Sequence, residues 1–301
     1  MLNSTATLRP AGLSGKSFNF SLSNEQKLSP QSFEEWRNFI YNLCGIYFKD
    51  NKKYLLESRL QKRIKYLNLA NFDEYLQYLK TNPKKEQEKE QLYEAITINE
   101  TYFFRNKPQL DALITNVIPD LLEKKSSSLH KIKIWSAASS SGEEAYSIAM
   151  MIDEMILPKY PRLKVEIIGT DINYTVIENA RKAVFKEYSI RNTPPVYLKK
   201  YFKKDGVNYI LNDKIKNMVS FKVLNLYDDR AISIMTKSDV IFCANVLIYF
   251  DTDSKIKVVN NLYKNLNPEG YLFIGYSETL HGISKAFKLT SFPKTIGYKK
   301  G

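Results

Sequence analysis

The side chains best placed to do chemistry are two adjacent carboxylates, Glu143 and Glu144, which follow the small-residue run from Ala137 to Gly142. Downstream, Asp171 closes the segment VEIIGTD, and upstream Arg105 follows the pair Phe103 and Phe104 in TINETYFFR. A dinucleotide site uses glycines to let the backbone approach a pyrophosphate, which then faces a helix N-terminus. This loop has a single glycine, Gly142, and its first helical turn would repel a phosphate. The carboxylates suit a ligand that is cationic there, or one offering hydroxyls and an ammonium group. Two glutamates at a helix start also complement the helix dipole, whatever they bind.

S-adenosylmethionine meets that description, with an amino-acid ammonium, a ribose diol, a sulfonium and no phosphate. An acid at the tip of a second strand, as Asp171 is here, can hold a ribose diol; it can equally cap the helix that follows. Arg105 is a cation over an apolar floor, suited to a carboxylate, while Phe103 and Phe104 read as packing residues.

Other chemistries have little support. Cys44 and Cys243 are far apart and lack neighbours that would complete a metal site, which argues against zinc or a disulfide framework and for a reducing, cytoplasmic setting. The two histidines, His130 and His281, fall in expected surface loops. There is no apolar run long enough to span a bilayer and no signal-peptide pattern. A net charge of +13 and a pI near 9.4 imply an acidic partner.

The elements that must position these groups follow from hydrophobic period. In KIKIWSAASSSGEEAYSIAMMIDE, alternating Ile132 and Ile134 give way to Ala145, Ile148, Ala149 and Ile152 at helical spacing, a strand–loop–helix unit. Residues 1–28 read as a poorly ordered arm. Residues 29–90 read as a small all-α domain of three helices ending in the charged linker NPKKEQEKEQ, and residues 91–301 as an α/β domain. In the second helix Arg59, Lys62 and Arg63 lie at i, i+3 and i+4, either a solvated face or a docking ridge for an acidic helix or phosphates.

Further strands are expected at Val165 to Gly169, at MVSFKVLNLYD ending in Asn225 and Leu226, at Val240 to Cys243, at GYLFIGYSETL and at TIGYKK, the last reversed in a hairpin; NPEG, with Gly270, reads as a turn. Residues 188–216 break the βα rhythm, with the basic run Lys199, Lys200, Lys203, Lys204 and a possible hairpin around GVNYILNDKI, and read as an insertion. The sum is a mostly parallel, Rossmann-like sheet with ligand groups at its carboxyl ends.

With TINETYFFR, WSAASSSGEEAYSIA, TDIN plus ENAR, and CANVLIYFD leading to LFIGYSETL in order, the chain from about Ser29 to Lys300 resembles the CheR-type chemotaxis receptor methyltransferases. The resemblance implies a class I S-adenosylmethionine-dependent methyltransferase domain, with a small all-α N-terminal domain and a small β insertion that some members use to dock on receptors. It implies a monomeric protein-glutamate O-methyltransferase that methylates glutamates on chemoreceptor cytoplasmic helices and releases S-adenosylhomocysteine. On matching positions, Asn99, Thr101, Arg105 and Glu143 would line the methionine end and Asp171 the ribose. Asn225 and Leu226 would contact adenine, Ala244 and Asn245 would close the site, and Arg105 and Tyr249 would stand nearest the transferred methyl. The ridge Arg59, Lys62 and Arg63 would face the receptor.

Displacement of a sulfonium by a carboxylate needs alignment and desolvation and no general base, in keeping with the scarcity of His and Cys. One departure is Ala244, where the family usually has Arg. It motivates an alternative, a catalytically weak signalling protein that binds S-adenosylmethionine or S-adenosylhomocysteine. A nucleic-acid methyltransferase ranks lower, because the NPPY- and PC-type tetrapeptides of base methyltransferases are absent.

Overall fold

The computed structural model describes residues 27–124 and 131–301. Nearly all of the expected arm, and His130, lie outside them. The chain begins with four helices: α1 (Pro30–Cys44), α2 (Lys53–Leu67), α3 (Phe72–Thr81) and α4 (Lys85–Ile96). Local chemistry sets their ends. The Ser29 hydroxyl accepts the Ser32 N–H at 2.9 Å, with Pro30 in the first helical position, and Asn71 accepts the Glu74 N–H at 2.8 Å. The helices close on Trp36, Leu56, Leu60, Tyr75 and Leu79, all essentially inaccessible.

α4 corrects the expected linker. Most of its charged residues face solvent, but Leu92 and Ile96, one turn apart, are buried in the same core. Glu88 is buried too, because Arg63 meets it through two nitrogens at 2.8 and 2.7 Å and the Tyr75 hydroxyl donates at 2.7 Å. A buried carboxylate with three such donors is satisfied.

A helical stretch follows, α5 (Lys107–Ala112) running through a π-turn at Leu113–Val117 into α6 (Ile118–Lys124). The α/β unit then runs β1 (Lys131–Ala137), α7 (Glu143–Met155), β2 (Lys164–Asp171) and α8 (Tyr174–Lys182). The insertion comprises β3 (Val184–Phe185), α9 (Glu187–Ile190), α10 (Pro195–Tyr201), β4 (Phe202–Asp205), β5 (Asn208–Leu211) and α11 (Asp213–Lys216). It forms a separate three-stranded sheet, β3-β5-β4, whose β4–β5 hairpin lies where GVNYILNDKI suggested one and whose first strand starts upstream of Tyr188. The chain ends with β6 (Val219–Val223), α12 (Asp229–Ser233), β7 (Ser238–Cys243), α13 (Thr252–Lys264), β8 (Leu266–Ile274), β9 (Phe287–Phe292) and β10 (Thr295–Lys300).

The main sheet has seven strands in the order β6-β2-β1-β7-β8-β10-β9. β6, β2, β1, β7 and β8 are mutually parallel, and β10 runs antiparallel to both β8 and β9. Alternate residues feed two cores: Ile132, Ile134 and Phe242 on one face, Trp135, Ile241 and Leu272 on the other. Strand order reverses between β1 and β7, the position where open α/β sheets bind ligands.

Three expectations are revised. The reversed edge is a two-strand hairpin, because 287–292 is also a strand. β6 ends at Val223, so Asn225 and Leu226 lie in the turn beyond it. Gly270 sits inside β8 beside a register shift against β7, where an added Cβ would come within 2.8 Å of the Asp239 carbonyl. The close strand approach, and not a turn, requires glycine there. Among the described residues no helix is long and apolar enough to cross a membrane.

Candidate active site

A cleft of about 310 Å3 opens at the carboxyl ends of β1, β2 and β7. Its floor is the loop after β1, where Ala138, Ser140 and Gly142 have φ of 60°, 49° and 93°. The Ser139 N–H pins the loop to the Thr170 carbonyl at 2.7 Å. At Gly142 a Cβ would also meet the Phe221 ring at 2.9 Å, so glycine is needed both for its backbone and for space.

The two carboxylates that follow are placed differently. Glu143, the expected ligand, turns away from the cleft, 1% exposed, and its oxygens accept the hydroxyls of Ser141 at 2.7 Å and Ser189 at 2.9 Å. Burial pushes its carboxyl above the usual range, opposed by those hydroxyls. Glu144 is the one that lines the cleft. Burial raises its pKa to about 7, against the Ser136 hydroxyl at 2.7 Å and the charge of Arg105, with Glu278 adding to the rise. Consecutive helical residues point about 100° apart, so only one of the pair can face the ligand.

Asp171 lines the same cleft from the end of β2. Its carboxylate accepts the N–H of Ser140 at 2.9 Å and of Asn173 at 3.0 Å. Burial pushes its pKa up and these donors oppose the rise. It does not cap α8: Asn173 does, accepting the Val176 N–H at 3.3 Å, which leaves Asp171 toward the cavity.

Asn99 and Thr101 line the cleft. Thr97, between them and α4, is a hub. Its hydroxyl donates to the Tyr93 carbonyl at 2.8 Å and accepts the carboxamide N–H groups of Asn99 and Asn173, each at 3.2 Å. At the opposite end Leu224, Leu226 and Ile172 offer apolar walls for a planar base, together with Cys44 and Ile46 from the helical region. That contribution of the helical region was not legible beforehand. The Asn225 side chain is already engaged, its Nδ2 on the Leu43 carbonyl at 2.7 Å and its Oδ1 on the Tyr227 N–H at 3.0 Å.

At the mouth stand Arg105 and Tyr249. Phe103 and Phe104 are buried, and Phe104 takes φ of 59° while its N–H donates to the Ser147 hydroxyl at 3.0 Å. That left-handed residue aims Arg105, whose Nη1 donates to the Glu100 carbonyl at 2.6 Å. Burial raises the Tyr249 pKa, and the charges of Arg105 and Arg59 oppose it. Asn245, at φ 63°, and Ala244 border the cavity after β7. A residue overlooked in the sequence, Glu278, fastens this loop, its carboxylate accepting the N–H groups of Asn245 at 3.0 Å, Ile248 at 3.1 Å and Gly275 at 2.6 Å. Its place in GYSETL was visible; its reach back to β7 was not.

The ridge on α2 is not assembled as expected. Arg63 is tied to Glu88, and Arg59 is half-buried with Nη1 on the Ile96 carbonyl at 2.5 Å. Lys62 is exposed, with Lys65 exposed beside it. His281 is exposed, and no group of metal-binding side chains occurs among the described residues.

Residues 31–97 match the family described as CheR methyltransferase, all-alpha domain, and residues 99–296 match CheR methyltransferase, SAM binding domain. The chain belongs to the CheR methyltransferase family. It is 38% identical over 279 residues to Chemotaxis protein methyltransferase 2 of Vibrio cholerae serotype O1, covering 92% of this chain and 95% of the relative. It is 40% identical over 250 residues to a Chemotaxis protein methyltransferase of Borreliella burgdorferi, covering 81% and 86%. Its cofactor is accordingly S-adenosylmethionine. The lining suits this CheR cofactor: the Glu144 carboxylate would take the ammonium, the Asp171 carboxylate the ribose hydroxyls, and the Leu224–Leu226 wall the adenine. Among the described residues its lining holds one cation, Arg105, and no cradle for a pyrophosphate.

Proposed function

We propose that this CheR-family methyltransferase esterifies glutamate side chains on the cytoplasmic helices of chemoreceptors. The observation that carries the reading is the pairing of Arg105 and Tyr249 in a cleft whose lining, among the described residues, includes no histidine. Bound there, S-adenosylmethionine would supply a methyl group on a sulfonium, so transfer to a carboxylate forms one C–O bond, breaks one C–S bond and moves no proton. The protein's task is then alignment and exclusion of water. Arg105 orients the incoming carboxylate, Tyr249 and Asn245 bound the space it enters, and Glu144 and Asp171 fix the cofactor's two polar ends. Ala244 leaves Arg105 as the guanidinium of the cleft lining. Exposed Lys62 and Lys65, with the net charge of +13, favour encounter with an acidic helix.

The test is incubation with methyl-labelled S-adenosylmethionine and a methyl-accepting receptor cytoplasmic fragment, followed by mild alkali. Label released as methanol is expected, since carboxyl methyl esters hydrolyse there and N-methyl groups do not. Alkali-stable label, or none while S-adenosylhomocysteine still binds, would overturn the reading.

A further inference from the structure

The segment Asn99 to Arg105, which borders the methionine end of the cleft, is fastened to the insertion and not only to its own domain. The Phe103 N–H donates to the Ser189 carbonyl at 2.9 Å, and the Phe103 ring packs edge-on against Phe185 and Phe202 at 4.7 and 5.1 Å. The Tyr188 hydroxyl donates to the Glu100 carboxylate at 2.8 Å. The Arg191 guanidinium lies between two rings, 3.7 Å from the centroid of Tyr102 and 3.6 Å from that of Tyr188. Arg105, in turn, is held by the Glu100 carbonyl and lies 5.6 Å from the Tyr102 ring. The residues that hold Arg105 are therefore the ones the insertion grips.

The insertion is itself fixed to α7, the helix that bears Glu144. Ser189 bonds Glu143 at its start, and Tyr201 and Lys214 bond Asp153 near its end at 2.9 and 2.8 Å. Tyr188 is 55% exposed and Arg191 is exposed, so ordinary core packing does not account for the stack.

We propose that Tyr188 and Arg191 are positioning residues. Through Glu100 and Tyr102 they hold the Asn99–Arg105 segment against the cofactor, so that the insertion sets the affinity of the methionine end and the aim of Arg105. The inference rests on the family's cofactor and not on the identity of the methyl acceptor.

The experiment measures S-adenosylhomocysteine binding by calorimetry in full-length Arg191→Ala, Arg191→Lys, Tyr188→Ala and Tyr188→Phe, with thermal midpoints alongside. The expected result is affinity weakened about fivefold or more in Arg191→Ala and in Tyr188→Ala. Largely restored affinity is expected in Arg191→Lys, which keeps the cation, with thermal midpoints near wild type throughout. A cycle of Glu100→Gln with Tyr188→Phe should be non-additive in binding. Affinities within twofold of wild type in both alanine variants would overturn the proposal. So would affinity losses that follow thermal destabilisation without rescue by lysine. If an alanine variant does not fold, the Tyr188→Phe and Glu100→Gln cycle decides, and additive effects overturn it. Failure of the glutamate reading would leave these binding results unchanged, because no methyl acceptor is present.

Discussion

Asn225 Nδ2 donates to the Leu43 carbonyl across 2.7 Å, joining the turn after β6 to the last turn of α1. Nearby, the Tyr47 N–H donates to the Tyr249 carbonyl at 3.0 Å, and Ile46 bridges Phe250. The helical region is thus part of the wall of the cleft, beside the Leu224–Leu226 turn and Tyr249.

Asn225→Ala should therefore act on binding and stability together. Losing this hydrogen bond costs about 1 kcal/mol of stability. S-adenosylhomocysteine affinity should fall with it, since Cys44 and Ile46 lose their seat. Paired thermal and titration measurements check this; weakened stability with unchanged affinity would mean the wall does not touch the ligand.

Glu144 predicts a pH dependence. Its folded pKa of about 7 lies above the ordinary 4.5, because burial favours the neutral acid. In the ligand-free protein this group therefore contributes stability fully below its unfolded pKa and loses it as pH rises through about 7. Binding an ammonium requires the ionised form, so cofactor affinity should rise with pH over that same interval, with net proton release on binding near pH 7. Glu144→Gln should bind weakly and with a flat profile, and should be the more stable of the two ligand-free proteins above pH 7. Glu143→Gln, by contrast, should leave the profile in place. Calorimetry in buffers of different ionisation enthalpy reads the proton release directly.

Asp171→Asn should separate two roles of one carboxylate. A carboxamide cannot accept both the Ser140 and Asn173 N–H groups and still face the ribose with an acceptor. Affinity for S-adenosylhomocysteine should drop about tenfold to a hundredfold, the range expected for a hydrogen bond to a charged group. Asn173→Ala should instead lower stability by about 1 kcal/mol as a lost helix cap.

Gly45→Ala tests the junction between the helical region and the α/β sheet. Gly45 has φ of 75°, and an added Cβ would lie 2.6 Å from the Tyr227 ring. A strained backbone residue costs about 1–3 kcal/mol, and the clash adds to it. A lowered denaturant midpoint is expected, with weaker cofactor binding because the shift displaces Cys44 and Ile46. An unchanged midpoint would show that Tyr227 moves aside freely.

Much of this architecture was legible because it is local. Alternation at Ile132 and Ile134, the small loop up to Gly142, and the helical spacing of Ala145 to Ile152 depend on residues within a few positions of one another. So does Asp171 at the end of an apolar strand. α4 was misjudged because its outward face is polar and mostly charged. What holds it, the Glu88–Arg63 pair and the burial of Leu92 and Ile96, comes from α2 and the core.

What the sequence determined by itself was the order of strand, loop and helix, the residue types at the cleft, and the chemistry they suit. A local pattern carries that information without reference to distant chain. Only the tertiary structure decided which of two neighbouring glutamates lines the cleft, since the answer depends on where Ser136, Ser189 and Arg105 arrive around α7. Only it showed Arg59 and Arg63 turned inward, Glu278 reaching back to the β7 loop, and the helical region walling one side of the cleft. Each of these is a contact between residues far apart in the chain, and hydrophobic period and motif spacing record nothing of such pairings.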